Sequence, residues 1–317
     1  MNKKTAIIFP GQGAQYPGMG KDFYDQNEAA KAIFDRADEL LGEKFSQKIF
    51  ESTVEELSQT NVAQLAIYIT SAAIYHALLE EYPDMTPYCM GGLSLGEYTA
   101  LTASCRLSFE EGIKLVKARG EYMQQAADEN PGTMAALLGV DEKTVEEAIK
   151  PFQEQGVKLW IANLNCPGQV VIAGEKAAIT VAEPVLKDRG AKRIIFLDVA
   201  GAFHTPLMQS AQDKLSSEIL SANFHESDIQ FVSNVTGGFL EEMDEIKKNL
   251  ISQVSSPVRW ESDIRAMESE GVELFIEVGC GRTLSGMNRK IKLDVPTINV
   301  DKVEDLEKLK TTLVEMV

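Results

Sequence analysis

Short apolar runs alternate with helical patterns of apolar and polar residues over the first third of the chain. Residues 5–9 (TAIIF) and 87–93 (PYCMGGL) predict two buried strands. Helical spacing of apolar residues predicts amphipathic helices around 22–41 and 62–82, and residues 95–105 (LGEYTALTASC) predict a helix directly after the second strand. Strands and helices in alternation are typical of an α/β fold with a parallel sheet.

The spacing of the elements changes between residues 130 and 198. The pattern there predicts, in order, a strand at 133–140, a helix at 141–152, strands at 157–164 and 169–174, a helix at 176–190 and a strand at 191–199. The order β-α-β-β-α-β is that of a ferredoxin-like unit. We therefore predict a small ferredoxin-like subdomain at 130–198, inserted into a large α/β domain formed by 1–129 and 199–317. Clefts between unequal domains are common ligand sites.

Composition and charge exclude several classes of protein. The chain has 317 residues, a formal net charge of −17, three histidines and four cysteines (Cys89, Cys105, Cys166 and Cys280). The negative charge disfavours nucleic-acid and anionic-membrane partners. The scattered cysteines, with no CxxC pair, predict neither a disulfide framework nor a metal site. No apolar run has the length of a signal-sequence core or a membrane span, so we expect a soluble cytoplasmic protein.

The stretch GLSLGEY at 92–98 places Ser94 between two glycines, after a predicted strand and before a predicted helix. In a G-x-S-x-G turn the glycines remove side chains that would clash, and the serine hydroxyl is exposed at the sharp bend. The first amides of the following helix point at the same place, where they could stabilise developing negative charge. We interpret Ser94 as a nucleophile, although a structural glycine-serine turn gives the same pentapeptide.

A serine nucleophile needs a base, and the chain offers three histidines. His76 lies within SAAIYHALLEEY and His225 within SANFHESD, contexts that are typical of a helical residue and a surface residue. His204 lies in AGAFHTPLM, a loop directly after the last strand of the predicted subdomain. A loop at a domain junction can carry a side chain into a cleft, so His204 is the best candidate for the base.

The first loop, GQGAQ at 11–15, only loosely resembles a glycine-rich phosphate loop, because the GxGxxG spacing and the GK[ST] ending are missing. Glycines also let a backbone approach a substrate closely. A loop after the first strand could therefore supply a donor to an oxyanion hole, with Gln12 beside it.

Six motifs are spread in order over nearly the whole chain. They are PGQGAQYPGMG near the start, GLSLGEYTAL at Ser94, VKARGEYMQ around Arg119, NLNCPGQVVIAG, GAFHTPLM at His204 and GCGRTLSGMNRKI near the end. Together they resemble the malonyl-CoA:acyl-carrier-protein transacylase family. The resemblance implies a large α/β-hydrolase-like domain with a ferredoxin-like insertion, in agreement with the pattern of elements.

The resemblance implies three roles in the chemistry. Ser94 would be the nucleophile that becomes malonylated, and His204 would act first as general base and then as general acid. The main-chain carbonyl of Gln253, in ISQVSSPVRW, would orient the histidine in place of an acid.

Further implied roles concern the substrate. Gln12 and the backbone amide of Leu95 would form the oxyanion hole. Arg119 would bind the malonyl carboxylate in two parallel hydrogen bonds. Met123 and Phe203 would line the acyl pocket, where the bulk of Phe203 would disfavour an α-methyl group.

One residue of the nucleophile motif departs from the family's pattern. Many members have histidine before the serine (GHSLG), where this chain has Leu93. Because the base is assigned to His204, we expect Leu93 to alter the packing of the turn rather than the chemistry.

The implied reaction supplies extender units for fatty-acid synthesis. A malonyl group would move from malonyl-CoA to the serine and then to the phosphopantetheine thiol of acyl carrier protein, with ping-pong kinetics. The reaction requires no metal and no bound cofactor, since malonyl-CoA is a substrate. On the resemblance alone we expect a monomer.

Acyl carrier proteins are generally acidic, so docking on this acidic chain requires local positive charge. There are two candidates. The first basic cluster is Lys187, Arg189, Lys192 and Arg193, and the second basic cluster is Arg282, Arg289, Lys290 and Lys292.

Three alternatives stay open from the sequence. The chain could be a serine thioesterase or hydrolase, in which Asp198 or another acid completes a triad. It could be a noncatalytic protein that binds carrier proteins. Within the transferases, it could load the carrier domains of polyketide synthases.

Overall fold

The computed structural model describes residues 3–315 and contains ten strands in two sheets. The strands are β1 (Thr5–Phe9), β2 (Cys89–Gly92), β3 (Thr133–Leu138), β4 (Leu159–Cys166), β5 (Gln169–Gly174), β6 (Arg193–Phe196), β7 (Gln230–Ser233), β8 (Gly238–Leu240), β9 (Leu274–Val278) and β10 (Thr297–Val300).

Fourteen α-helices connect and cover these strands within the described range. They are α1 (Lys21–Gln26), α2 (Glu28–Leu41), α3 (Phe45–Glu51), α4 (Val54–Ser58), α5 (Thr60–Glu81), α6 (Gly96–Ala103), α7 (Phe109–Glu129), α8 (Glu142–Glu154), α9 (Lys176–Asp188), α10 (Gln209–Ser221), α11 (Met243–Ser252), α12 (Trp260–Ser269), α13 (Thr283–Ile291) and α14 (Val303–Glu315). A short 3₁₀ helix at Pro206–Met208 precedes α10.

The large sheet has six strands in the order β10-β9-β1-β2-β7-β8. The first five run parallel, and only the edge strand β8 is antiparallel to its neighbour. All five residues of β1 are buried, as expected for a central parallel strand that is covered on both faces and therefore reads as a continuous apolar run. The predicted α/β fold with a parallel sheet is confirmed.

Helix α5 passes through the middle of the main core. By length and composition it could cross a membrane, although no uninterrupted apolar run in the sequence predicts this. However, 89% of its most apolar 18-residue window is buried inside the fold. The helix is apolar on nearly all sides because it packs against several neighbours, including α2 and α7, and this is typical of a core helix in a globular protein.

The small sheet has four strands in the order β4-β5-β3-β6, all antiparallel. Helices α8 and α9 connect its strands, so the β-α-β-β-α-β order predicted from the sequence is confirmed. The side chain of Asp141 caps α8 by accepting a hydrogen bond from the amide of Thr144 at 2.8 Å. The strands of this sheet lie between Thr133 and Phe196, and we retain 130–198 as the proposed extent of the subdomain.

The predicted single helix at 22–41 is wrong in one respect, because it is two helices. The chain between α1 and α2 is extended at Asn27, where φ is −134°. The side chain of Asn27 accepts a hydrogen bond from the amide of Ala30 at 2.8 Å and so begins α2. Asparagine is a strong N-cap residue, and its capping geometry interrupts a helix that the apolar spacing alone would continue.

Candidate active site

Ser94 occupies a sharp turn between β2 and α6. Its φ of 52° lies in the left-handed region, which a non-glycine residue adopts only under local constraint. A Cβ atom on Gly92 would overlap the backbone of Gly96, and one on Gly96 would overlap the carbonyl oxygen of Phe9. The glycines of the G-x-S-x-G pattern are therefore required by the close approach of three backbone segments.

His204 lies directly opposite the serine, in the loop between β6 and the 3₁₀ helix. Its Nε2 is 2.8 Å from Ser94 Oγ, and its Nδ1 is 2.8 Å from the carbonyl oxygen of Gln253. A carbonyl oxygen can only accept, so Nδ1 must carry the proton. The lone pair of Nε2 then faces the serine hydroxyl, which is the tautomer that can accept its proton.

The surroundings keep this imidazole neutral. Burial, together with the positive charge of Arg119, lowers the pKa of His204 to about 4. The hydrogen bond to the Gln253 carbonyl acts in the opposite direction and is a smaller effect. His204 is therefore unprotonated, and able to accept a proton, at neutral pH.

Arg119 is fully buried on α7 and points at the serine. Its Nη2 donates to Ser94 Oγ at 2.9 Å and to Gln253 Oε1 at 3.0 Å. Its Nη1 donates to Gln64 Oε1 at 2.6 Å, and its guanidinium carbon lies 5.5 Å from the centre of the Tyr98 ring. Burial lowers the pKa of Arg119, but a guanidinium remains charged in proteins. A fixed positive charge thus lies beside the hydroxyl.

A cavity of about 250 Å³ opens onto these groups. Its walls include residues from the large-sheet side and from the small sheet, among them Gln12, Leu93, Ser94, Arg119, Met123, Met134, Asn163, Asn165, Leu197, Phe203, His204, Thr283 and Met287. The site therefore lies between the two sheets, at the carboxyl ends of β1 and β2, where open parallel sheets bind ligands. Sequence reasoning did not identify the two asparagines on β4.

The two residues predicted for an oxyanion hole lie in different surroundings. Gln12 is half-buried in the loop after β1 and lines the cavity. The side chain of Leu95 is buried in the core, and its amide lies at the start of α6. None of the hydrogen bonds among residues 3–315 uses that amide as a donor. Both positions adjoin the serine turn.

A buried polar network beneath the turn was missed from the sequence. The carboxylate of Glu97 accepts hydrogen bonds from the amide of Asn234 at 2.5 Å and from Gln253 Nε2 at 2.6 Å. The side chain of Asn234 also donates to Asp263 Oδ2 at 2.8 Å. Burial raises the pKa of Glu97 to about 7, against the opposing effect of its hydrogen bonds and of Arg119. The sequence offers one indication of this network, because Glu97 is the single charged residue of the helix GEYTALTA.

The other titratable candidates lie elsewhere. His76 is in α5 and His225 is exposed on the polar segment before β7, so neither reaches Ser94. Asp198 is exposed, and the partner of His204 Nδ1 is the Gln253 carbonyl. The alternative of a triad completed by Asp198 is therefore wrong.

Comparisons with known proteins identify the family of the chain. The acyl transferase domain family matches residues 6–290. A malonyl CoA-acyl carrier protein transacylase from Bacillus subtilis is 42% identical over 312 residues, which are 98% of this chain and 98% of that protein. The crystal structure of malonyl CoA-acyl carrier protein transacylase from Clostridium perfringens has a TM-score of 0.92 at 39% identity and covers 99% of this chain and 98% of its own.

A further solved structure contains two proteins. It is a type II PKS acyl-carrier protein in complex with its malonyl-transacylase, and the matching chain has a TM-score of 0.93 at 33% identity over 98% of this chain and 99% of that chain. Family match, coverage and fold agree over nearly the full length. This chain belongs to the acyl transferase domain family, among the malonyl CoA-acyl carrier protein transacylases.

Proposed function

We propose that this chain transfers the malonyl group of malonyl-CoA to the phosphopantetheine thiol of acyl carrier protein, through a malonyl ester on Ser94. The observation that carries the proposal is the hydrogen-bonded series Ser94 Oγ, His204 and the Gln253 carbonyl, with the buried Arg119 guanidinium beside the hydroxyl. It provides a nucleophile, a neutral base with a defined tautomer, and a cation for a second, negatively charged group of the substrate.

In the first half-reaction Ser94 Oγ attacks the thioester carbonyl carbon while its proton moves to His204 Nε2. The Nδ1–H bond to Gln253 holds the ring in place as it becomes positively charged. The C–S bond then breaks, and the CoA sulfur leaves with the proton from His204. The product is a malonyl ester on the serine.

In the second half-reaction the thiol of acyl carrier protein enters the same cavity. Its proton moves to His204 as the sulfur attacks the ester carbonyl, and the C–O bond to Ser94 breaks. The serine oxygen recovers the proton from the imidazole. Because CoA leaves before the carrier protein enters the same site, the kinetics are ping-pong.

Negative charge on the carbonyl oxygen requires donors in both half-reactions. The amide of Leu95, which is free for this purpose at the start of α6, and the loop residue Gln12 would supply them. One such donor typically lowers the barrier by about 3–4 kcal/mol.

Arg119 explains the choice of malonyl over uncharged acyl groups. Its planar fork matches a carboxylate, and it lies at the base of the cavity beside Ser94 Oγ. Met123 and Phe203, both buried residues on the cavity wall, would limit the width available next to the malonyl methylene. Leu93 also lines the cavity, and it has a packing role in this proposal.

The reaction uses only proton transfer and acyl exchange, so the proposal includes no metal and no resident cofactor. We place the enzyme in the cytoplasm and propose, on the family resemblance, that it acts as a monomer.

The carrier could also belong to a polyketide synthase. The likeness to the malonyl-transacylase solved with a type II PKS acyl-carrier protein favours this second candidate. Competition between a fatty-acid carrier and a polyketide carrier for the malonyl-enzyme, measured as the ratio of the two malonylated products, distinguishes them.

The experiment that tests the proposal is the intact mass of the purified protein after mixing with malonyl-CoA. We expect one malonyl adduct, none in Ser94→Ala, and very slow formation in His204→Ala. Free malonate should accumulate only slowly without carrier protein. Rapid release of malonate without an adduct would indicate a hydrolase, and no reaction at all would indicate a noncatalytic carrier-binding protein.

A further inference from the structure

Both main-chain polar groups of Ser94 are held by side chains from distant parts of the sequence. Its amide donates to Asn234 Oδ1 at 2.6 Å, and its carbonyl oxygen accepts from Gln253 Nε2 at 2.9 Å. Asn234 follows β7 and Gln253 ends α11. Since Ser94 has a left-handed backbone, these two bonds fix a conformation that a serine would not adopt alone.

One carboxylate holds both of these partners. Glu97, in the first turn of α6, is 1% exposed. Its Oε1 accepts from the amide of Asn234 at 2.5 Å, and its Oε2 accepts from Gln253 Nε2 at 2.6 Å. Each oxygen therefore bonds to a different element, and the helix N-terminus favours a negative charge at this position.

Gln253 extends this support to the rest of the site. Its carbonyl oxygen accepts from His204 Nδ1 at 2.8 Å, and its Oε1 accepts from Arg119 Nη2 at 3.0 Å. A shift of the Gln253 side chain would therefore move the serine turn and the guanidinium together.

We propose that Glu97 is a positioning residue, which sets the geometry of Ser94, His204 and Arg119 through Asn234 and Gln253. This inference rests on the proposed function, since it concerns the same reaction. Glu97 does not touch the cavity and takes no proton from the substrate.

The chemistry of the site requires a carboxylate rather than an amide. Both groups that face Glu97 are N–H donors, so both of its oxygens must accept. In Glu97→Gln one oxygen is replaced by an NH₂ group, which would face another N–H donor. The shape of the side chain is kept, but one of the two bonds is lost and a buried donor is left without a partner.

The test compares the rate of acyl-Ser94 formation from malonyl-CoA and from acetyl-CoA in the wild type and in Glu97→Gln. We expect formation from malonyl-CoA to slow about 10- to 100-fold, because misplacement by about 1 Å can reduce a rate about 100-fold. The preference for malonyl over acetyl should also fall, since Arg119 loses its fixed orientation. Loss of stability alone would reduce the amount of folded enzyme, and it would leave the rate per folded molecule and the malonyl preference unchanged.

Asp38→Asn is the matched control. Asp38 is also a buried carboxylate that accepts two hydrogen bonds, from the amide and the hydroxyl of Ser46, both at 2.8 Å, but it lies on α2, away from the cavity. This variant should lose stability while the rate per folded molecule and the malonyl preference stay as in the wild type.

Glu97→Asp provides a second variant if Glu97→Gln does not fold. It keeps two acceptor oxygens but is one methylene shorter, so the acyl preference should fall in the same direction. An unchanged preference and rate per folded molecule in the variants that fold would overturn the inference. Failure of the wild type to form malonyl-Ser94 would instead overturn the proposed function, so the two failures are distinguishable.

Discussion

At the residue scale, the reactivity of Ser94 depends on an imidazole that stays neutral well below its ordinary pKa. Burial and the nearby guanidinium disfavour the protonated ring, and the Gln253 carbonyl fixes the proton on Nδ1. The first two effects keep the base available over a wide pH range, and the third determines which ring nitrogen accepts the proton.

A pH profile tests this property of His204. In Glu97→Gln, where the buried carboxylate can no longer take up a proton, the acid limb of kcat/KM for malonyl-CoA should lie near pH 4, the pKa of the buried imidazole, rather than near the ordinary value of about 6.5. The wild type should also lose activity near pH 7, because Glu97 becomes protonated there. The folded pKa is depressed, so this histidine's contribution to the free energy of unfolding is present above about pH 6.5 and is lost as the pH falls through about 4. Circular dichroism at each pH separates unfolding from protonation. An acid limb at or above pH 6.5 in Glu97→Gln would exclude the depressed pKa of His204.

Arg119→Ala tests the selection of the substrate. Removing hydrogen bonds to a carboxylate should lower kcat/KM for malonyl-CoA about 10- to 100-fold. Acylation by acetyl-CoA should be kept or increased, because that substrate has no carboxylate to bind. Arg119→Lys keeps the charge but not the planar fork, so its kcat/KM for malonyl-CoA should lie between the values of the wild type and of Arg119→Ala. Unchanged malonyl turnover in the alanine variant would remove the arginine from substrate binding.

The residues of the site differ in how well their roles can be predicted from the sequence. Ser94 lies in a local pattern of five residues, and His204 follows by elimination among three histidines. Glu97 and Asn234 are 137 residues apart, and their bond arises only when β2 and β7 become neighbours. The roles assigned to Gln12, Leu95 and Gln253 came from the family resemblance and remain predictions.

At the element scale, the turn between β2 and α6 depends on close packing against β1. Gly96→Ala should lower the free energy of unfolding by about 1–3 kcal/mol, since its new Cβ would overlap the Phe9 carbonyl. It should also slow malonyl-Ser94 formation by displacing the serine. Gly238→Ala, where the Cβ would meet open space, is the control and should change neither quantity. Equal stability of both variants, measured by denaturant unfolding, would contradict the packing argument.

The elements themselves follow from the sequence better than their arrangement does. The apolar run TAIIF and the capping residue Asp141 each define an element locally, and both are found in the structure. The position of β1 beside β9 depends on pairing with residues more than 260 positions away. No local sequence pattern predicts which strands become neighbours over such a separation. The break at Asn27 was overlooked because apolar spacing outweighed a visible capping residue.

At the scale of the whole molecule, we propose that the carrier protein docks on the second basic cluster rather than on the first. Helix α13 carries Thr283 and Met287 on the cavity wall and exposes the basic residues that adjoin them. None of the four side chains of this cluster forms an ion pair within residues 3–315. In the first cluster, by contrast, Lys187 pairs with Glu183 at 2.6 Å and Arg189 with Glu147 at 3.6 Å.

Reversal of charge in each cluster tests this placement. Arg289→Glu should raise KM for acyl carrier protein about two- to fivefold, as expected for about 0.5–1 kcal/mol at an exposed charge, and the effect should shrink with added salt. Lys187→Glu is the control and should have little effect. An increase in KM for malonyl-CoA alone would mean that the cluster contacts CoA phosphates, and a larger effect of Lys187→Glu would place docking on the first cluster.

A chase experiment with labelled malonyl-CoA shows whether a malonyl-serine ester is an intermediate on the way to the carrier protein. The enzyme is labelled with radioactive malonyl-CoA, freed of CoA, and mixed with acyl carrier protein that either carries or lacks phosphopantetheine. We expect the label to leave Ser94 and to appear on the carrier only when the phosphopantetheine thiol is present. Label that passes to water at the same rate with either carrier would contradict it.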